Sequence, residues 1–157
     1  MTISFLLVVM RSMSEADLEP TLCFVDTNVW LYAFIAGSDA AKSKMARQLL
    51  QDNERSLLVS SQVINEVCTN LLKKAQIPEA EIRELIRSFY HRYPVVLLGQ
   101  GVQVGASELR GRLSLSFWDS LILAAAIHGG ASIVYSEDLQ ADLQVNEGLV
   151  VRNPFTP

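Results

Sequence analysis

The sequence predicts an α/β fold in which a parallel sheet is covered by helices on both faces. Its apolar residues include short runs of three or four, and stretches with helical periodicity separate these runs. Strands that are buried on both faces have this continuous apolar character, whereas half-exposed strands alternate apolar and polar residues. Half of the 157 residues are apolar and 19% are charged, which fits one domain of ordinary size with a sizeable core.

The elements of the first half follow from apolar runs, helical periodicity and residues that begin or end helices. Gly37 and Ser38 interrupt the first helical pattern. Ser60 or Ser61 can cap a later helix, and Pro78 suits the first turn of the next one. The predicted elements are a strand at 22–25, helices at 29–34 and 39–52, a strand at 57–59, and helices at 61–75 and 78–92.

The second half alternates in the same way. Gly129 and Gly130 follow a long helical pattern, and glycine at this position commonly ends a helix. The predicted elements are a strand at 95–98, helices at 102–111 and 117–128, and strands at 133–135 and 149–151, with a loop at 114–116.

Two groups of acidic residues directly follow predicted strands. Asp26 comes after the first strand, and Ser136, Glu137 and Asp138 come after the strand at 133–135. In open parallel sheets, ligands bind beyond the carboxyl ends of the strands, near a switch in strand order. Both groups are therefore expected at one edge of the sheet. The alternatives are that Asp26 only caps the following helix, and that Asp138 belongs to a polar turn or caps the next segment.

Two further candidate acids lie on predicted helices. Asp119 stands three residues after Ser116 at the start of the helix at 117–128, where capping and the helix dipole also favour an acid. Glu66 lies on the polar face of the helix at 61–75, opposite its apolar stripe. That face either meets solvent or lines a cleft, and periodicity does not separate the two.

Composition narrows the class of function. A net charge of −4 argues against a nonspecific nucleic-acid coat protein, which is normally basic, but is compatible with an enzyme that holds divalent cations. Cys23 and Cys68 lack zinc-site spacing, so we interpret them as reduced core thiols of a cytoplasmic protein. The apolar run at 3–10 is too short to span a bilayer, so no membrane contact is expected. We predict an N-terminal extension of uncertain structure at 1–19.

Each of the four acids lies in a short segment with its own residue pattern. The segments are 24–32, which begins Phe-Val-Asp-Thr-Asn; 60–67, which contains Ile-Asn-Glu-Val; 115–126, which contains Ser-Phe-Trp-Asp; and 135–140, which contains Ser-Glu-Asp. Together, in this order and on these elements, they resemble the PIN-domain family, and within it the ribonuclease toxins of the VapC type. The likeness covers roughly residues 21–155.

This resemblance implies a three-layer α/β/α sandwich with a central parallel sheet, as a PIN-like nuclease domain over residues 20–157. It also implies a metal-dependent endoribonuclease that hydrolyses RNA phosphodiester bonds with one or two Mg²⁺ or Mn²⁺ ions. These ions prefer oxygen ligands, and a cation relieves the repulsion among clustered carboxylates. By position, the catalytic and metal-binding residues are Asp26, Glu66, Asp119 and Asp138, supported by Asn28 and Ser136, while Glu137 either assists metal binding or faces solvent.

Contacts to RNA have weaker sequence signals. Basic residues near the candidate acids are possible phosphate contacts, and neighbouring aromatic residues are possible stacking partners for bases. Ordinary surface charge and core packing are the competing interpretations. The basic candidates are Arg110, Arg112, Lys73 and Lys74, and the aromatic candidates are Trp30, Tyr32 and Trp118.

Several functions remain open at this point. The resemblance favours the toxin of a type II toxin–antitoxin pair, which would have an antitoxin partner and form a homodimer through the apolar helices at 29–50. The alternatives are a housekeeping RNA-processing nuclease and a non-catalytic binding module on the same fold. A phosphatase of the haloacid-dehalogenase type would need an acid two positions after Asp26, where the chain has Asn28.

Overall fold

The computed structural model describes residues 21–35, 37 and 39–156. The extension predicted at residues 1–19 lies outside the described residues, and so does Pro20, the first residue of the predicted nuclease domain. The boundary between extension and domain therefore stays a prediction.

Strands and helices alternate along the described chain largely as the apolar runs indicate. The elements are β1 (Cys23–Val25), α1 (Thr27–Phe34), α2 (Ala40–Asp52), β2 (Leu57–Ser60), α3 (Ser61–Lys74), α4 (Glu79–Arg92), β3 (Val95–Val96), α5 (Gln100–Leu113), α6 (Phe117–His128), β4 (Ile133–Tyr135), β5 (Gln144–Asn146) and β6 (Leu149–Arg152).

The six strands form one sheet in the order β3-β2-β1-β4-β6-β5. All neighbouring strands are parallel except β5 and β6. The chain builds outward from β1 through β2 to β3, and then crosses back to place β4 on the other side of β1. The strand order therefore switches between β1 and β4, and this is where open sheets of this kind bind ligands. The α/β prediction is confirmed.

One strand of the sheet is absent from the sequence prediction. β5 pairs antiparallel with β6 through the two-residue connection Glu147–Gly148, and the Gly148 N–H donates to Asn146 Oδ1 at 2.8 Å. Only Val145 of this three-residue strand is buried. A strand with a single buried side chain has almost no apolar pattern, so the sheet is mixed at this edge rather than wholly parallel.

Helices cover the sheet in two groups. α6 packs against β2 and β3, α5 packs on α6, and the other helices contact one another in the order α2, α1, α3, α4. Trp30 of α1 joins that second group, because its ring meets Phe89 of α4 edge-on with centroids 4.9 Å apart. Cys23 and Cys68 are both buried and free, as the core-thiol interpretation requires. Among the described residues, no helix combines the length and apolar character needed to cross a bilayer.

Two glycines provide a matched test of this packing. A Cβ atom at Gly129, which follows α6, would lie 2.9 Å from side-chain atoms of Leu58 and Val96, whereas a Cβ atom at Gly111 in α5 meets nothing within 4 Å. We expect Gly129→Ala to lower the free energy of unfolding by about 1–3 kcal/mol through overpacking. Gly111→Ala should raise it by about 0.5–1 kcal/mol through helix propensity. Urea unfolding measures both, and the same change for the two variants would contradict this packing.

Candidate active site

The sheet places the first candidate acid at its switch point. Asp26 follows β1 directly, and its backbone N–H donates to the carbonyl of Tyr135, the last residue of β4, at 3.0 Å. The segment from Ser136 to Asp138 follows β4. The two acidic groups that were expected at one edge of the sheet therefore lie side by side.

The Asp26 carboxylate is buried and held by three donors. Its side chain caps α1, because Oδ1 accepts from the Thr27 N–H at 2.7 Å. Oδ2 accepts from Ser136 Oγ at 2.7 Å and from Asn28 Nδ2 at 3.2 Å. With only 8% of its surface exposed, Asp26 is fixed in orientation by both strands of the switch point. The side chain that caps α1 therefore also contacts the segment that follows β4.

Burial also changes the acidity of this group. It raises the pKa of Asp26 to about 6, since removal from water penalises the charged form. The hydrogen bonds from Ser136 and Thr27 act in the opposite direction, and the neighbouring carboxylates of Glu66 and Asp138 raise the pKa further. A cation beside these three acids would favour the ionised form.

Asn28 connects Asp26 to the segment after β4. Its Nδ2 donates to Asp26 Oδ2 and to Asp138 Oδ2, each at 3.2 Å, and its Oδ1 accepts from the Glu137 N–H at 3.1 Å. Ser136, which is fully buried, accepts at Oγ from the backbone N–H groups of Asp138 and Leu139 at 3.2 Å. The two residues predicted to support the acids are thus both in contact with them.

Glu66 reaches the same site from α3. Its Oε2 accepts from Thr27 Oγ1 at 2.7 Å, and its Oε1 accepts from Gln62 Nε2 at 2.8 Å. Glu66 is half-buried rather than freely solvated. The polar face of α3 therefore forms a wall of the site, which is the interpretation that periodicity left open.

Asp119 enters from the first turn of α6. Ser116 caps this helix by accepting from the Asp119 backbone N–H at 3.1 Å. The cap fixes the backbone of the turn, and Asp119 lines the same cleft as Asp26 and Glu66. Asp119 can therefore belong both to the capped start of α6 and to the site.

These residues line one cleft of 590 Å³. All four candidate acids contribute to its wall. Sequence reasoning does not select two residues that orient them, Thr27 and Gln62. The spacing of Gln62 four positions before Glu66 is a usable signal for a helical side-chain pair, whereas nothing in the pattern indicates that the Thr27 hydroxyl faces α3. The lining residues include Asp26, Thr27, Asn28, Asp39, Gln62, Glu66, Asn70, Lys74, Trp118, Asp119, Glu137 and Asp138.

The additional acid, Glu137, is engaged outside the quartet. Its carboxylate forms an ion pair with Lys42 of α2 and accepts from the Tyr32 hydroxyl at 2.8 Å. The Lys42 ammonium group also lies over the rings of Tyr32 and Phe155, 5.1 and 5.6 Å from their centroids. The hydrogen bond from Lys42 lowers the pKa of Glu137. Lys42 therefore compensates the charge of Glu137, and the contacts of Glu137 connect α1 and α2 to the segment after β4.

The two arginines considered as RNA contacts lie outside the cleft wall. Arg110 donates to Ser120 Oγ at 2.7 Å, and its guanidinium lies 4.6 Å from the centroid of the Phe117 ring. Arg112 donates to the carbonyl of Val145 at 3.1 Å. Both guanidinium groups therefore serve contacts within the fold.

The other candidate RNA contacts differ in whether they line the cleft. Lys73 lies outside the cleft wall and its neighbour Lys74 lies in it. Trp30 is 2% exposed and belongs to the core, where its indole N–H donates to the carbonyl of Val25. Trp118 lines the cleft and is largely exposed.

Comparison with known proteins identifies the family of this chain. Residues 23–143 match the sequence profile of the PIN domain, which is most of the chain. The chain belongs to the PIN-domain family. This family comprises nucleases. No curated protein matches the chain significantly.

Solved structures show the same fold. VapC20 of Mycobacterium tuberculosis, a sarcin-ricin loop cleaving toxin, is 21% identical, with a TM-score of 0.61 over 74% of this chain and 91% of that chain. A toxin–antitoxin complex from Klebsiella pneumoniae is 18% identical, with a TM-score of 0.63 over 85% and 98%. DNA-bound VapBC from Salmonella typhimurium is 15% identical, with a TM-score of 0.60 over 86% and 99%.

The donor chemistry of this PIN domain fits a divalent cation that keeps most of its water. Mg²⁺ is commonly held by one or two carboxylates together with water, rather than by a complete protein cage. Within the described ranges, no group of three or more His, Cys, Asp or Glu side chains is arranged to hold a metal ion. The cleft wall does carry the four candidate carboxylates, and the buried Gln62 Oε1 accepts no hydrogen bond. The residues fit a water-rich ion and do not form a closed cage.

Asp26 should make the metal-free PIN domain less stable as pH rises. Its folded pKa of about 6 exceeds the ordinary value of 3.8, so its contribution is fully present below pH 3.8 and is lost as pH rises through about 6. At about 1.4 kcal/mol per unit, the loss is about 3 kcal/mol. The measurement is chemical unfolding of wild type and Asp26→Asn in EDTA between these pH values.

The comparison of the two proteins tests the contribution of Asp26, since the variant has no ionisable group at this position. Wild type should lose stability relative to Asp26→Asn as pH rises through this window. Parallel pH profiles for the two proteins would show that Asp26 keeps an ordinary pKa.

Proposed function

We propose that this PIN domain is an endoribonuclease that requires Mg²⁺ or Mn²⁺ and acts as the toxin of a toxin–antitoxin pair. The observation that carries the proposal is that Asp26, Glu66, Asp119 and Asp138 line one cleft at the switch point of the sheet. A binding module without catalysis has no need for four carboxylates in one cleft, whose mutual repulsion is unfavourable without a cation.

Each acid has its own role in the proposed site. Asp26 and Asp119 are the principal metal ligands in this proposal, with Glu66 and Asp138 acting directly or through water. A divalent cation bound there would lower the pKa of a coordinated water and stabilise negative charge on the phosphate. Glu66 lies where it could also orient the attacking water, because Thr27 and Gln62 hold its two oxygens in place.

Hydrogen-bond donors around the carboxylates hold them in fixed orientations. Ser136 and Thr27 donate to opposite oxygens of Asp26 and prevent its rotation. Asn28 donates to both Asp26 and Asp138, so one amide group sets the separation of two acids. Preorganised ligands of this kind reduce the reorganisation that accompanies substrate and metal binding.

An antitoxin partner is part of the proposal. The similar structures include a toxin–antitoxin complex and DNA-bound VapBC. A separate groove of 690 Å³ lies between α1, α2 and α4, with Trp30, Phe34 and Phe89 in its wall. An antitoxin that covers or enters the acidic cleft would block access of RNA. A homodimer through α1 and α2 is a further expectation, tested by sedimentation at micromolar concentration.

RNA cleavage tests the assignment of the acids. We expect wild type to cleave mixed structured RNAs in Mg²⁺ or Mn²⁺, and Asp26→Asn and Asp119→Asn to lose about 100-fold or more of this activity. Even residues that only support a metal ligand change activity by about 10- to 100-fold. Glu137→Gln is the matched control and should retain activity, because Lys42 already neutralises Glu137. Equal cleavage by wild type and Asp26→Asn would contradict the assignment.

Metal binding is tested separately from activity. Addition of Mg²⁺ or Mn²⁺ should raise the melting temperature of the metal-free protein, since a ligand at 100 times its Kd stabilises the folded state by about 2.7 kcal/mol. Asp119→Asn should reduce the shift, and Glu137→Gln should keep it. A melting temperature that does not respond to millimolar concentrations of either ion would remove the metal from the proposal.

A further inference from the structure

The cleft is poorly equipped to hold RNA through its phosphates. Its described wall contains one basic side chain, Lys74. The acids in the same wall are Asp26, Asp39, Glu66, Asp119, Glu137 and Asp138. Proteins that grip nucleic acid by its backbone neutralise several phosphates with Lys and Arg. Contacts to uncharged parts of the nucleotide are therefore expected to contribute to the binding of RNA in this cleft.

Trp118 is placed to provide such a contact. It precedes the candidate ligand Asp119 in the chain, lines the cleft, and is 62% exposed. The Ser116 cap fixes the helical turn that carries it, and the carbonyl of Trp118 accepts from Gln62 Nε2 at 3.5 Å. A largely exposed indole on a fixed turn beside the acids is therefore accessible to a base that enters the cleft.

The neighbouring ring leaves the indole available. Phe117 and Trp118 meet at an angle of 82° with centroids 5.2 Å apart. In an edge-to-face pair, Phe117 covers no more than one face of the indole, so at least one face remains free of it. Phe117 itself is 55% exposed, but the Arg110 guanidinium lies over its ring. Trp118 is also the member of the pair that lines the cleft, whereas Phe117 does not belong to the cleft wall.

The other aromatic candidates are already occupied. Trp30 is packed against Phe89 in the core. The Tyr32 hydroxyl donates to Glu137, and the Tyr32 ring meets Phe155 edge-on with centroids 5.0 Å apart.

We propose that Trp118 stacks on an unpaired RNA base adjacent to the phosphodiester that is cleaved. The inference rests on the proposed ribonuclease function and adds a substrate-positioning residue to it, an indole that holds one nucleotide beside the cleavage position. Bases within a duplex are stacked on each other and do not offer a free face, whereas bases of single strands and loops stack on aromatic side chains. Stacking also tolerates an acidic cleft, because it does not depend on neutralising phosphates.

Tryptophan fluorescence tests this directly. The chain has two tryptophans, and Trp30 is buried, so quenching by an added nucleic acid reports on Trp118. The probe is a mixed-sequence single-stranded RNA of about 12 nucleotides, added in Mn²⁺ to Asp26→Asn so that it is not cleaved. We expect quenching by the single strand and much less by its duplex.

Substitutions separate stacking from other roles of the exposed aromatic patch formed by Phe117 and Trp118. In the same background, Trp118→Leu should weaken binding of the single strand, measured by anisotropy of a labelled RNA, by about 5- to 150-fold. Trp118→Phe should restore most of the affinity. Phe117→Leu is the matched control, an exposed neighbouring aromatic whose face is covered, and should change affinity little. Circular dichroism checks that each variant is folded.

The outcomes distinguish this inference from the proposed function. Unchanged RNA affinity in Trp118→Leu would overturn the stacking proposal. It would not affect the proposed ribonuclease function. Unchanged RNA affinity together with an altered sedimentation coefficient would identify the patch as an interface between protein chains, which also overturns it. Absence of cleavage by wild type, with quenching and the Trp118→Leu effect preserved, would overturn the ribonuclease assignment but not the stacking contact. Equal affinity for single strand and duplex would contradict the requirement for an unpaired base.

Discussion

The burial of one carboxylate organises the site. An ionised group removed from water is unfavourable unless donors or an opposite charge compensate it. Asp26 receives three hydrogen bonds, and together they require two parts of the fold to be in place. The start of α1 supplies Thr27 and Asn28, and the end of β4 supplies Ser136. The position of Asp26 is thus a consequence of β1 and β4 being neighbours, and the other acids gather around it.

The sequence was most informative where chemistry follows directly from chain order. An acid immediately after a buried strand has only one edge of a parallel sheet to occupy, which is why Asp26 and Asp138 could be placed together in advance. Glu66 could not be placed in this way, because helical periodicity separates polar from apolar faces but does not identify what a polar face meets. Its surroundings depend on Thr27, whose hydroxyl reaches across from another helix.

Long-range side-chain contacts account for most of what the sequence does not reveal. Arg110 looks like a free surface cation in the sequence, yet Ser120 and the Phe117 ring engage it within the fold. Lys42 and Glu137 form an ion pair across 95 positions of the chain. No local pattern indicates either pairing, and both determine which charges remain available in the cleft. The electrostatic character of the site is therefore a tertiary property.

The two edge strands of the sheet, β3 and β5, limit how chains can associate. β3 has two residues, β5 has three, and a register shift interrupts the pairing of β5 with β6. Exposed strands act as templates for other chains when they are long and flat, and very short margins prevent this. Within the described residues, the sheet therefore offers little backbone to an incoming strand. Assembly through the described residues would therefore depend on side chains of the helices and loops rather than on strand pairing, and their composition would set its specificity.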